Sequence, residues 1–377
     1  MARVLDALTA DPEVWSKTVL LVMYDENDGY FDHMPPPQPP TKVLPGSSTI
    51  STHGEIHDLS TAADMGKFPP DDLPYGLGPR VGMIAISPWS KGGFVCSEVF
   101  DHTSVIRFIE QRFGVHEPNL TPWRRAVCGD LTSAFDFSRP VSGSTTLPDT
   151  HDMMARIDAS CRLPAPGVPA ISAAADIGMQ EPGIRPARAL PYDLAADEIA
   201  GPAGQLTLEL ASHGKAAACF YVYREGTEEI PRRYTVGAGA SIRDTWTLDG
   251  DGPHLLSVTG PNGFLRRFHR DAPMPALVTA RHDGANGTLV LAMRNETRSP
   301  VRLTLRDNAY GQPDRMLSLA AGQDLTSAVA LAKSGHWYDL SVLPDGQAGT
   351  ETRIAGHVET GRPSITDPAA TQPVLPA

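Results

Sequence analysis

Hydrophobic positions along the chain follow two different rules. Up to about residue 165 they come in blocks. Val4, Leu5, Leu8 and Val14 share one helical face and predict a helix over 2–15. Val19-Leu20-Leu21-Val22-Met23 is a solid apolar run. Nothing alternates within it, so the strand predicted over 18–24 reads as buried on both faces, of the parallel type. A second such strand runs from Val81 to Ile86, and a helix from Thr103 to Phe113 carries Val105, Ile106, Phe108 and Ile109. Asp101 stands where its carboxylate can accept the free N–H groups of that helix's first turn. A short helix is expected near 150–160.

After residue 190 the period shortens to two. Gln205–Leu210, Ala218–Tyr223, Arg232–Val236, Ser241–Leu248, Leu255–Val258 and Phe264–His269 read as strands separated by turns. Gly287–Met293, Val301–Leu305, Trp337–Val342 and Thr352–Glu359 repeat the pattern. Leu256-Ser257-Val258, followed by Gly260-Pro261-Asn262-Gly263, is echoed by Leu340-Ser341-Val342 and Pro344-Asp345-Gly346. The expected organisation is an α/β part over 1–165, a Pro/Ala/Gly-rich linker over 166–189, two all-β sandwich-like modules over 190–273 and 276–366, and a tail over 367–377. Two parallel-type strands are too few for a doubly wound sheet, which needs more strands to present two coverable faces. The α/β part therefore reads as incomplete.

Composition narrows the classes. A formal net charge of −12 disfavours nucleic-acid binding, which needs a basic patch. No apolar run is long enough for a transmembrane segment. Met1-Ala2-Arg3-Val4-Leu5-Asp6 has no signal-peptide core. The four cysteines contain no C-x-x-C pair, and Cys128 with Cys161 could pair in an oxidising compartment.

The chemistry concentrates behind the first strand, in Tyr24-Asp25-Glu26-Asn27-Asp28-Gly29-Tyr30-Phe31-Asp32-His33, followed by Pro35-Pro36-Pro37. The prolines stop helix and central strand alike. Asp25 and Glu26 would point to opposite faces of a regular strand, and a bend after Tyr24 could bring both onto one cation. Two carboxylates held together without a cation raise one another's pKa, and a hard divalent metal removes the conflict. Asn27 and Gly29 tolerate the positive φ of a sharp turn. A solvated acidic loop is the competing reading. The long loop over 34–79 contains His53, His57 and Asp58, of which His53 and His57 could line a site.

The stretch from Tyr24 to Pro37 resembles the C-terminal metal motif of the bacterial phosphoesterase family. Gly78-Pro79-Arg80-Val81-Gly82-Met83-Ile84-Ala85-Ile86-Ser87-Pro88-Trp89-Ser90 agrees with it, as do Asp101-His102-Thr103-Ser104 and Cys128-Gly129-Asp130-Leu131-Thr132-Ser133. The family holds phosphocholine-preferring phospholipases C and related acid phosphatases. The resemblance implies an alkaline-phosphatase-like doubly wound sheet, here incomplete. It also implies one divalent metal ion held by Asp25 and Glu26, and export to the periplasm or outside the cell. A Ser or Thr nucleophile and further ligands are expected in an N-terminal half outside this sequence, so a separate chain carrying that half is a candidate partner beside the phospholipid substrate. His33 and His102 are the candidate catalytic side chains. Tyr30, Phe31 and Trp89 are candidates for contact with a choline cation. Tandem C-terminal modules accompany the phospholipase C branch, and Gly356-His357-Val358-Glu359-Thr360-Gly361 resembles the end of that module. His357 and Glu359 share a strand face, a spacing that more often packs than binds metal. The expected activity is phospholipase C, with an acid phosphatase and a non-catalytic lipid- or partner-binding protein as the rivals.

Overall fold

The computed structural model describes residues 1–377 apart from 28, 30–33, 57–71, 140–148, 166, 168–181, 203, 249–253 and 372–377. In chain order the elements begin with α1 (Ala2–Thr9), α2 (Pro12–Trp15), β1 (Leu20–Met23), β2 (Gly46–Ser48), β3 (Met83–Ile86), α3 (His102–Phe113), α4 (Pro122–Val127) and α5 (His151–Ser160). The strands β4 (Pro186–Ala187), β5 (Leu194–Ile199), β6 (Gln205–Ser212), β7 (Ala218–Arg224), β8 (Arg232–Val236), β9 (Ala240–Thr247), β10 (His254–Thr259) and β11 (Leu265–Arg270) follow. The last are β12 (Ala276–Asp283), β13 (Thr288–Asn295), β14 (Val301–Asp307), β15 (Arg315–Leu319), β16 (Asp324–Ala330), β17 (Trp337–Pro344), β18 (Thr350–His357) and β19 (Ser364–Ile365). Two compact units emerge, each assembled from separated stretches. One takes Met1–Glu26, Val81–Gly92 and Phe135–Gly183, the other Asn27–Arg80, Gly93–Ala134 and Ile184–Ala377.

In the first unit the single helix expected over 2–15 is two helices. Asp11 breaks it, because its carboxylate caps the N–H groups of Glu13 (2.8 Å) and Val14 (3.2 Å). Pro12 occupies the first helical position behind that cap, where its missing N–H costs nothing, although it could not sit inside a continuous helix. The parallel-type reading of the first two strands is also corrected: β1 pairs β3 antiparallel, from Leu20 opposite Ile86 to Met23 opposite Met83. A parallel pair needs a crossover helix, and none intervenes between these strands among the described residues. Nor is β1 buried on both faces. Leu20, Leu21 and Val22 are half-buried and Met23 is exposed, as expected for a strand in a two-stranded sheet.

The second unit is largely β and built as a repeat. In sheet order, β5-β6-β9 is matched by β12-β13-β16. The order β8-β7-β10-β11 is matched by β15-β14-β17-β18. In each half, side chains from both sheets fill one core. Leu208, Phe220, Tyr234, Trp246 and Val258 belong to the first, and Leu289, Leu291, Leu303, Tyr338 and Val342 to the second. The halves meet through equivalent strands: β11 pairs β18 antiparallel, with Arg267 opposite Arg353. The result is one nine-stranded sheet running β15-β14-β17-β18-β11-β10-β7-β8-β2, whose eight repeat strands are palindromic about the β11–β18 seam in the way an isologous dimer interface is, with β2 added at one edge.

The stretch before the repeat is fastened to its first half. Strand β2 adds to β8 in parallel, and Gly46 is required there. Its φ is 144°, and a Cβ would lie 1.7 Å from the Arg233 carbonyl oxygen. Trp123 of α4 is fully buried among Cys128, Ala217 and Cys219, and its indole N–H donates to Thr235 Oγ1 at 2.9 Å. Cys128 and Cys161 are both free thiols. No helix among the described residues is long and apolar enough to cross a membrane.

The shared sheet makes a prediction about folding. Residues 184–371, which keep the β4–β19 pair, are expected to unfold as one cooperative transition when expressed alone, since the β11–β18 ladder joins the two cores. Their midpoint should lie below that of the whole protein, because the pocket for Trp123 would stand open. Two resolved calorimetric transitions, or none, would count against it.

Candidate functional site

Asp25 and Glu26 stand where the sequence puts them, directly behind β1 on a bend, and both are exposed. The following turn is held by its own chemistry. The Asn27 side-chain oxygen accepts the Gly29 N–H at 3.0 Å, and Gly29 has a φ of 85°. Asp28, Tyr30, Phe31, Asp32 and His33 lie outside the described residues, as do His57 and Asp58. Two adjacent, solvent-facing carboxylates fit a hard divalent cation chemically, since oxygen ligands suit such ions. They are only part of a donor set: among the described residues no group of three His, Cys, Asp or Glu side chains converges to hold a metal ion.

Trp89 belongs to an aromatic cluster in the same unit. Its ring centroid lies 5.4 Å from that of Phe137, which stacks on Phe135 at 5.3 Å. The Trp89 carbonyl also accepts the Asp136 N–H at 2.9 Å. Packing explains its half-buried position.

His102 lies in the other unit, exposed in the first turn of α3. Asp101 caps that helix as the sequence requires. Its Oδ1 accepts the Ser104 N–H at 3.2 Å, and Ser104 Oγ accepts the Asp101 N–H at 3.0 Å, closing a capping box. Arg124 fixes the cap from outside, donating to Asp101 Oδ2 at 2.6 Å, Glu55 Oε1 at 3.2 Å and the Gly76 carbonyl at 2.7 Å. Arg125 forks onto both carboxylate oxygens of Glu110, each at 2.8 Å. That pairing, with the Glu117 N–H behind it, holds the Glu110 carboxyl at about 2, well below the ordinary carboxylate range. Asp101 and Glu110 therefore organise the helix that presents His102.

His357 and Glu359 form a structural clasp between the repeated halves. His357 Nδ1 lies 2.9 Å from Glu359 Oε1. Glu359 also accepts the Leu190 N–H and the Asn262 side-chain amide, both at 3.0 Å. Sequence reasoning missed a second buried cluster at the same junction. His282 Nε2 and Arg266 Nη2 both reach the Tyr338 hydroxyl, at 2.9 and 3.1 Å. His282 Nδ1 lies 3.1 Å from Asp193. Burial alone would depress the His282 pKa, yet the Tyr338 and Asp193 oxygens raise it to about 9. The available signal was His282, a histidine placed inward on an alternating strand.

Comparison with known proteins adds the following. Residues 1–116 match the model of the Phosphoesterase family. Residues 186–269 and 276–357 each match the bacterial phospholipase C, C-terminal domain. Over 97% of its length the chain is 47% identical to a protein of Pseudomonas aeruginosa named non-hemolytic phospholipase C, covering 54% of that protein. It is 46% identical to a Burkholderia pseudomallei protein of the same name, over 97% of the chain and 53% of the relative. A second Pseudomonas aeruginosa protein, named hemolytic phospholipase C, is 41% identical over 98% of the chain and 54% of the relative. The chain thus spans about half the length of the curated relatives it matches.

Proposed function

Since the chain belongs to the phosphoesterase family, we propose that it serves a phospholipase C that hydrolyses phosphatidylcholine-like lipids to diacylglycerol and phosphocholine. The observation that carries this reading is the 47% identity to a non-hemolytic phospholipase C, sustained across 97% of the chain and therefore through both repeated halves of the β region. Residues 1–165 would contribute part of an alkaline-phosphatase-like catalytic domain, and 190–273 and 276–366 the two accessory modules.

In this reading Asp25 and Glu26 hold one divalent metal ion. When bound, the ion supplies Lewis-acid polarisation of a phosphoryl oxygen. The chain's own contribution is positional. The bend behind β1 turns the two carboxylates outward, and the Asn27–Gly29 contact sets the direction in which the backbone leaves them. His33, Tyr30 and Phe31 come next in the sequence. His33 is proposed to orient this stretch and Tyr30 and Phe31 to meet the choline cation, with His102 as a second candidate for proton transfer.

Product analysis tests the reading. A full-length polypeptide carrying this stretch should release p-nitrophenol from p-nitrophenyl phosphocholine, and phosphocholine from phosphatidylcholine. It should leave p-nitrophenyl phosphate nearly untouched. Preferential hydrolysis of the monoester would favour the acid-phosphatase reading. Vesicle binding without turnover would favour the non-catalytic one.

A further inference from the structure

Arg188 lies between β4 and β5 and is 8% exposed. Its Nε is buried without a hydrogen-bond partner, and among the described residues no carboxylate forms an ion pair with its guanidinium. A buried guanidinium in that state is costly, and proteins ordinarily pair it. What it has is a ring: its Cζ sits 4.0 Å over the centroid of Phe94. Stacking of this kind holds the guanidinium plane and leaves its in-plane N–H edges available for bonding.

Arg188 lines a cavity of about 110 Å³ where the loop at 95–97 meets both repeated halves, together with Ser97, Asn262, Trp337, Glu359 and Thr366. At roughly 30 Å³ per water, such a space holds three or four waters or one small tetrahedral ion. Its walls are fixed: the Trp337 indole N–H is committed to the Ile365 carbonyl at 2.9 Å. Two acids also face it, and both are already engaged. Glu359 accepts from Leu190 and Asn262 and adjoins His357. Asp367 Oδ1 accepts the Tyr310 hydroxyl at 3.0 Å and the Ala369 N–H at 2.8 Å. Arg188 is the one guanidinium lining this cavity, and its buried Nε has no acceptor among the described residues.

We propose that this cavity is a binding site for a small oxyanion of phosphate size, held by the in-plane edge of Arg188 with Ser97 and Thr366 as hydroxyl donors. The site lies at the clasp between the repeated halves, so its occupancy stiffens that junction. A ligand that binds only the folded state raises its stability by mass action.

The test uses the whole protein with inorganic phosphate as the probe, against chloride at equal ionic strength. Phosphate should raise the thermal midpoint of the wild type and change its tryptophan fluorescence, because Trp337 lines the cavity. Arg188→Met should fold, with a midpoint in chloride close to that of the wild type, and should lose the phosphate response. Arg188→Lys keeps the charge but not the fork and should bind phosphate at least about tenfold more weakly. Absence of a phosphate-specific shift in the wild type would overturn the proposal, and so would an equal shift in Arg188→Met. Should Arg188→Met fail to fold, unchanged phosphate affinity in Arg188→Lys would overturn it alone.

Discussion

Replacing both carboxylates of the turn, Asp25→Asn with Glu26→Gln, is expected to abolish metal binding in a full-length polypeptide carrying this stretch. Turnover should fall by roughly three orders of magnitude or more, the scale on which losing metal-assisted charge stabilisation acts. The physical argument is local. Asn and Gln keep the shape of the side chains but remove both negative charges, and neutral amide oxygens are far weaker ligands for a hard divalent cation. Both positions are exposed and form no part of a core, so the substitutions should leave folding untouched. A lost activity can then be assigned to the site. Metal content measured by mass spectrometry on wild type and double mutant decides the matter. Equal stoichiometry in the two would remove Asp25 and Glu26 from the ligand set.

What the sequence made legible was governed by how local each feature is. The Asp101 cap and α3 were legible because a capping carboxylate and its helix are neighbours in the chain. The turn behind β1 was legible for the same reason. Strand direction was not. An apolar run such as Val19–Met23 says that a segment avoids water but not which partner it takes, and the partner of β1 lies some sixty residues on. Four of the longer strands escaped the period-two reading, β5, β12, β15 and β16, as did the short β2, β4 and β19. In β5 the pattern is masked by Asp197, which is 4% exposed yet pairs with Arg281 and accepts the Ala280 N–H at 3.2 Å. A buried acid that finds its partner on a strand over eighty residues away looks in sequence like a solvated loop. The β11–β18 seam could not be read either, since each strand is an ordinary amphipathic one and only the assembled sheet shows that both are inner strands.

Helix α3 shows a different failure. Its apolar residues suggested a buried face, but the residue it buries completely is Ser104. Arg107 of the same helix reaches the Cys128 carbonyl. The capping box and this side-chain contact fix which way the helix is turned, and they leave Ile106, Ile109 and Phe113 outward. Local hydrogen bonds set the rotation here, and burial of apolar area did not.

The exposed face of α3 leads to the other large expectation: a polypeptide of these 377 residues alone should show no phosphodiesterase activity above background. Phosphoryl transfer needs a nucleophile placed against the metal and enough ligands to hold that metal in a defined geometry. Asp25 and Glu26 are exposed, and no third His, Cys, Asp or Glu converges with others into a metal-binding group among the described residues. Two carboxylates alone supply only part of the roughly six oxygen ligands a hard divalent ion takes. The same polypeptide should self-associate. Ile106, Ile109 and Phe113 recur at helical spacing on one side of α3, with Phe113 66% exposed and Val115 just beyond at 56%, so that side of the helix carries exposed apolar side chains. Sedimentation velocity over a concentration series should therefore show reversible association, reduced in Ile109→Glu. The activity arm is a titration of purified protein with divalent metal and p-nitrophenyl phosphocholine. Turnover that disappears in Asp25→Asn would show that these residues contain a nucleophile and a complete metal site, and would overturn the expectation.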